Sequence, residues 1–173
     1  MMEALKFLRP GKLGPFSGVT WPEPGTWLEA EVPTELCRSG VHALLPQVLS
    51  RWVAEELWRV ELDGEELVAE GILLAPRGRL VSRVDSWNDA TAREFARACA
   101  AHVQGGASGR AAEYAADAQA SAESAVADFT ATTVAYMAAH AAEALSPGSF
   151  ADERRWQSDW LADRLGIGSL QPS

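Results

Sequence analysis

The chain has 173 residues, of which 47% are hydrophobic and 23% charged, and this composition is typical of a folded globular protein and excludes a largely disordered one. Its formal net charge is −9 and its 15 basic residues form no cluster, so we expect neither nucleic acid nor an anionic membrane surface as a partner. A basic protein partner is compatible with this charge.

Two further observations concern cellular context. Cys37 and Cys99 are the only cysteines, and their separation matches neither a zinc site nor a redox motif. The first ten residues lack the pattern of a secretory signal, and acidic residues interrupt the alanine-rich stretch, so it cannot form a span of about 20 apolar residues. We therefore expect a cytoplasmic protein without a structural disulfide, a membrane span or a cofactor.

The first forty residues are rich in proline and glycine, with pairs at Pro10-Gly11, Gly14-Pro15 and Pro24-Gly25. Such residues interrupt helices, so this region is predicted to hold only short extended segments. The candidate segments are residues 4–8, 18–21 and 26–32.

The next region combines one helical pattern with several strand patterns. Apolar residues recur at helical spacing between residues 44 and 55, which predicts one short helix. Alternating apolar residues then lead to Asp63-Gly64, a pair that favours the turn of a β-hairpin. With further strands predicted at 72–75 and 80–84, a small antiparallel sheet is expected.

From residue 88 onward the sequence predicts helices. Asn88 is a suitable N-cap for the first of them, and the alanine-rich stretch 110–145 predicts either two helices or one bent helix. A last helix is predicted over 150–165, with Gly166 as its C-terminal cap. The fold class is therefore predicted as α+β, with a β-rich module over 1–87 and an alanine-rich helical bundle over 88–173 packed on it, and Gly105-Gly106 as a flexible joint.

The segment 37–42 holds the densest group of reactive side chains, because Cys37 and His42 are separated by only five positions. A thiol nucleophile needs a nearby proton acceptor, so this pair is a candidate for nucleophilic catalysis. No carboxylate is indicated as the third member of such a site. The alternative is a structural role, in which His42 bonds to backbone near the edge of the sheet.

Aromatic residues supply the other candidate sites. Trp21, Trp27 and Trp58 either line an apolar pocket or cover the core of the small sheet, since each tryptophan buries a large apolar area. Tyr136 and His140 share one face of a predicted helix and are candidates for binding. A carboxylate-bridged metal site would need more carboxylates at matching spacing, so no metal site is predicted.

Two segments resemble protein families. Cys37-Arg38-Ser39-Gly40-Val41-His42-Ala43, followed by the strands between residues 57 and 84, resembles a group of phage and bacterial proteins of unknown function that carry Cys-x-x-Gly-x-His-Ala before a short helix. Residues 110–165, with Glu153-Arg154-Arg155-Trp156-Gln157, are similar to alanine-rich immunity proteins of actinobacteria. The second resemblance implies that the chain occludes a toxin partner and brings no catalytic residue.

Two functional hypotheses follow. The first is a non-enzymatic interaction protein, such as an immunity or accessory protein, that binds a protein partner through its acidic surface. The alternative is a small enzyme or small-molecule-binding protein with a tryptophan-lined pocket and His42 as proton acceptor. Because alanine-rich faces also suit helix pairing between chains, a homodimer is expected in either case.

Overall fold

The computed structural model describes residues 2–30, 39–104, 109–123 and 127–168, and these ranges contain a seven-stranded antiparallel sheet, a short 3₁₀ helix and four α-helices. The predicted α+β fold class is therefore confirmed. The strands are β1 (Met2–Leu8), β2 (Trp27–Glu29), β3 (Val41–Leu44), β4 (Glu56–Asp63), β5 (Glu66–Ala69), β6 (Ile72–Ala75) and β7 (Arg77–Arg83). The helices are the 3₁₀ helix Pro46–Trp52, α1 (Asp89–His102), α2 (Arg110–Glu123), α3 (Ala127–Leu145) and α4 (Ser149–Leu165).

Strand β1 occupies the centre of the sheet, whose order is β2-β7-β4-β1-β3-β6-β5. Its side chains alternate between two core clusters, as a strand with both faces buried requires. Leu5 and Phe7 belong to the cluster shared with the helices, whereas Ala4 and Leu8 belong to a second cluster together with Trp21. Lys6, the polar residue in the middle of β1, is therefore only partly exposed.

The helices pack on the Leu5 and Phe7 face of the sheet. Trp87 connects the two layers, since its ring stands edge-on to Phe7 and to Phe95 and its Nε1 donates to the carbonyl oxygen of Ala54 at 2.8 Å. Helices α2 and α3 meet through small side chains such as Ala118 and Ala138, which are fully buried. Small residues let the helix backbones approach closely while the interior keeps its high packing density.

Local signals predict the helices well. Helix α1 begins after Asn88, whose side-chain oxygen accepts hydrogen bonds from the backbone N–H groups of Ala90 and Thr91. Helix α4 ends at Gly166, which has a φ of 63°. The alanine-rich stretch forms two described helices, α2 and α3. The predicted joint at residues 105–106 lies outside the described residues, and the division into two modules stays a prediction.

The sheet differs from the prediction in its pairing. Gly64 has the positive φ that the expected turn requires, 72°, but β4 pairs with β1 and β7 whereas β5 pairs with β6. The predicted hairpin is therefore wrong. Residues 18–21 form no strand, only a single bridge between Thr20 and Leu13. The helix predicted over 44–55 is a 3₁₀ helix over Pro46–Trp52. Leu44 belongs instead to β3, where it pairs with Ile72.

Candidate ligand-binding cavity

A cavity lies where two neighbouring strands of the sheet separate. β1 and β3 are paired only at Leu5 and Leu44, whereas β1 stays paired with β4 along its whole length. The cavity at this place has a volume of about 490 Å³. Both strands, the loop after β1 and the end of the 3₁₀ helix contribute to its lining, which comprises Leu5, Lys6, Phe7, Gly14, Pro15, Phe16, Ser17, Gly40, His42, Ala43, Leu44 and Trp52.

The rim of the cavity is formed by a tight turn. The backbone N–H of Gly14 donates to the carbonyl of Val19 at 2.8 Å, and that of Gly18 donates to the carbonyl of Gly14 at 3.0 Å. A Cβ on Gly14 would lie 2.4 Å from Ser17 Oγ, so only glycine fits there without a shift. The turn presents Phe16, which is 79% exposed and whose ring centroid lies 6.1 Å from that of Trp52, at the rim of the cavity.

Lys6 is the cationic residue of the lining. Its Nζ donates to the backbone carbonyl of His42 at 2.6 Å, across the gap between the strands, and lies 5.5 Å from the ring of Trp21. Burial lowers the pKa of Lys6 from 10.5 to about 8. Among the described residues no carboxylate forms an ion pair with it. Lys6 is therefore a partly desolvated amine, and no carboxylate of the described residues pairs with it.

Lys6 is not among the site residues predicted from sequence, although the sequence holds a signal for it. Lys6 lies between Ala4 and Leu8 in a strand that is apolar on both faces, at the register of a core-facing position. A lysine is rarely buried without a reason. The core-facing register of a lysine in this predicted strand is therefore a signal that Lys6 is a candidate site residue.

His42, a predicted catalytic residue, does line the cavity and is half-buried. Burial is the main cause that lowers its pKa below the ordinary value, the charge of Lys6 adds to this effect, and a backbone hydrogen bond with Gly40 opposes it. The imidazole is therefore neutral at pH 7 and able to accept a proton. Its predicted partner Cys37 lies outside the described residues, so the pairing of these two side chains stays a prediction.

The three predicted tryptophans lie away from the cavity lining, where Trp52 is the tryptophan present. Trp21 is buried in the second core cluster. The guanidinium groups of Arg77 and Arg79 lie 4.8 and 4.9 Å from the ring centre of Trp27. Trp58 donates from Nε1 to a carboxylate oxygen of Glu56 at 3.0 Å.

Tyr136 and His140 lie together on α3 in an aromatic cluster that also contains Tyr114 and Phe150. Tyr136 is 53% exposed. Near the end of α3, the carboxylate of Glu143 accepts hydrogen bonds from the backbone N–H groups of Gly148 and Phe150. Glu143 therefore stabilises the beginning of α4.

A buried polar network explains the Glu153–Gln157 segment. The Glu153 carboxylate, 3% exposed, bonds to His102 Nδ1 at 2.7 Å and accepts from Gln157 Nε2 at 2.9 Å. Trp156 stacks on the His102 ring with centroids 3.7 Å apart. Gln157 also donates to the carbonyl of Ala135. The network thus connects α1, α3 and α4, and a second cavity of about 290 Å³ adjoins it at His102.

Within the described ranges, no group of three or more His, Cys, Asp or Glu side chains is arranged to hold a metal ion. Nor does any helix in those ranges have the length and apolar character needed to cross a membrane. Comparison with protein-family models, with curated proteins and with solved structures found no match to the chain.

Proposed function

We propose that the chain binds a small ligand with an apolar body and an acceptor oxygen in the cavity between β1 and β3. The observation that carries this proposal is the position of Lys6, a partly desolvated amine among apolar walls. The cavity volume of about 490 Å³ falls in the range of small-molecule sites, which are mostly apolar with a few convergent polar groups. Lys6 would bind the acceptor oxygen of the ligand.

The charge of Lys6 favours a carboxylate over a neutral group. One of its three N–H bonds is directed to the carbonyl of His42, and within the described residues no carboxylate neutralises it. A charge-assisted hydrogen bond in a water-poor site is about twice as strong as a neutral one. The apolar walls formed by Leu5, Phe7 and Trp52 would contact the hydrocarbon part of the ligand.

His42 gives the same cavity a potential for catalysis. Its lowered pKa makes it a proton acceptor near neutral pH, and it lines the cavity that also holds Lys6. The proposal therefore extends to an enzymatic role, in which His42 accepts a proton from the bound ligand. Binding is the part that can be tested first.

The test is calorimetric titration of the protein with hexanoate and with hexanol. We expect hexanoate to bind at least about tenfold more tightly than hexanol, because a hydrogen bond to a charged group contributes about 1.5–3 kcal/mol. Phe16→Ala should weaken hexanoate binding, whereas Val19→Ala, on the same turn but outside the lining, should leave it unchanged. Equal affinity for both probes, or no binding of either, would contradict the proposal.

A second candidate function is the binding of a protein partner through an acidic surface. It is supported by exposed carboxylates on α2, Glu113 and Asp117, which form no ion pair within the described residues, whereas those of Glu61 and Asp63 on the sheet pair with arginines. The attraction between this acidic surface and a basic partner would increase the rate at which the two proteins associate. An immunity or accessory role is one form of this second candidate function. The expected homodimer is part of the same proposal.

This second candidate is tested by affinity capture from the native host at low salt. We expect a basic protein to be retained at low salt and lost at high salt, and to be lost when Glu113 and Asp117 are replaced by Gln and Asn. Failure to retain any partner at low salt would remove the support for this function. Light scattering of the purified protein tests the homodimer separately.

A further inference from the structure

The cavity geometry points to covalent capture of a small apolar aldehyde by Lys6, through an imine between Nζ and the carbonyl carbon. The inference rests on the proposed function, since the aldehyde would occupy the same cavity, and it names the substrate class of that site. An apolar aldehyde has the two features that the cavity selects, a hydrocarbon body and an acceptor oxygen.

The environment of Lys6 favours a nucleophilic amine. Nζ is held across the strand gap by its hydrogen bond to the carbonyl of His42, and the cavity lining around Lys6 is largely apolar, with Leu5, Phe7 and Trp52. With a pKa of about 8, about a tenth of Lys6 is neutral at pH 7, against about 0.03% for an amine of pKa 10.5. Desolvation in an apolar pocket is a known way to activate a lysine for imine formation.

The reaction balances without an oxidant or a reductant. The lone pair of neutral Nζ forms a bond to the carbonyl carbon while the electron pair of the C=O bond moves to oxygen. One proton leaves nitrogen and the oxygen gains one, which gives a carbinolamine. Loss of water then forms the C=N bond, so one aldehyde and one amine yield one imine and one water. His42, the other titratable group of the described lining, is suited to accept and return the proton.

A purely structural role for Lys6 is the competing explanation. The bond from Nζ to the carbonyl of His42 connects β1 and β3 where their backbone pairing stops, and a cation of similar length could supply it. Lys6→Arg preserves a cationic donor but removes the primary amine. This variant therefore separates the two explanations.

The experiment treats the full chain with hexanal and sodium cyanoborohydride at pH 7 and locates the reduced adduct by peptide mass spectrometry. The sequence offers an internal control, because Lys6 and Lys12 are its only lysines and Lys12 forms an ion pair with Glu23. We expect Lys6 to be modified at least about tenfold faster than Lys12, because more of its amine is neutral. The Lys6 adduct should be absent in Lys6→Arg and unchanged in Lys12→Arg.

The possible outcomes are distinct. Equal modification of the two lysines, or modification of Lys12 alone, overturns the inference. Binding of hexanoate without an adduct on Lys6 overturns covalent capture and leaves the proposed function standing, whereas absence of both overturns the two together. Because the adduct is located in the unaltered protein, the result does not depend on the folding of Lys6→Arg.

Discussion

Lys6 couples the candidate site to the stability of the fold. Its side chain extends from the central strand, where the neighbouring positions of the same register, Ala4 and Leu8, are fully buried. Burial disfavours the charged form, so the pKa of Lys6 falls to about 8 in the folded chain and returns to about 10.5 when the chain unfolds. Between these pH values the unfolded state binds more protons than the folded state.

The contribution of Lys6 to stability should therefore rise with pH between about 8 and about 10.5, and Lys6→Met should remove this contribution. We expect the difference in unfolding free energy between the unaltered protein and Lys6→Met to shift by about 2 kcal/mol in favour of the unaltered protein across this interval. Urea denaturation at several pH values measures it. Burial also raises the pKa of Cys99, but that effect is common to both proteins and cancels in the difference. A difference that does not vary with pH would show that Lys6 is not desolvated.

Glu153 is the second residue whose burial has a measurable consequence. Its carboxylate is 3% exposed and bonds to the exposed His102 and to the buried Gln157, so its removal takes one acceptor from a buried amide and leaves a gap in the core. We expect Glu153→Ala to lower the unfolding free energy by about 1–3 kcal/mol, the cost of depriving a buried amide of an acceptor. Glu153→Gln should cost less because it keeps an acceptor oxygen.

The matched control for Glu153→Ala is Asp159→Ala, an exposed carboxylate on the same helix that forms no ion pair within the described residues. It should change the unfolding free energy by less than about 0.5 kcal/mol. Equal effects of the two substitutions in urea denaturation would contradict a structural role for the network.

At the scale of elements, the helices were predictable and the order of the strands was not. Asn88 and Gly166 are capping residues whose effect is local, so the ends of α1 and α4 can be inferred from a few neighbouring residues. The pairing of a strand depends on distant residues. Asp63-Gly64 indicates a reversal of the chain, but β4 pairs with β1, which lies about fifty positions earlier, and with β7 rather than with β5, which follows it directly.

The same distinction applies to the site. His42 could be selected from sequence because histidine is chemically conspicuous, whereas the register of Lys6 marks it only as an unusual lysine, and its place in a cavity follows from the separation of β1 and β3. Trp52 could not be preferred over Trp21 or Trp58, since nothing local indicates which tryptophan borders a cavity. Assigning Lys6 and Trp52 to the cavity therefore needed the strand order.

The close packing of the alanine-rich helices leads to a further prediction. Ala118 on α2 is fully buried against its neighbours, whereas Ala116 on the same helix is exposed. We expect Ala118→Leu to lower the unfolding free energy by about 1–3 kcal/mol, because added methylene groups force apart closely packed helices. Ala116→Leu should change it by less than about 0.5 kcal/mol. Similar urea denaturation curves for the two variants would show that α2 does not pack through Ala118.

At the scale of the whole molecule, the net charge of −9 and the cationic cavity have opposite signs. Charges on the sheet are largely paired, as for Arg79 with Glu61 and Arg59 with Glu3, so the excess of carboxylates is carried elsewhere on the surface. A small anionic ligand would approach against this negative field and gain its favourable contact only inside the cavity. Its affinity should therefore increase with ionic strength, whereas capture of a basic protein partner should decrease.

The location of bound hexanoate, mapped by amide chemical shifts of isotopically labelled protein, tests the central claim most directly. The account predicts that saturating hexanoate shifts the amides of Lys6, Gly40 and His42 and the indole of Trp52, which line the cavity between β1 and β3. Shifts confined to the second cavity around His102 and Glu153, or no shifts at all, would contradict it.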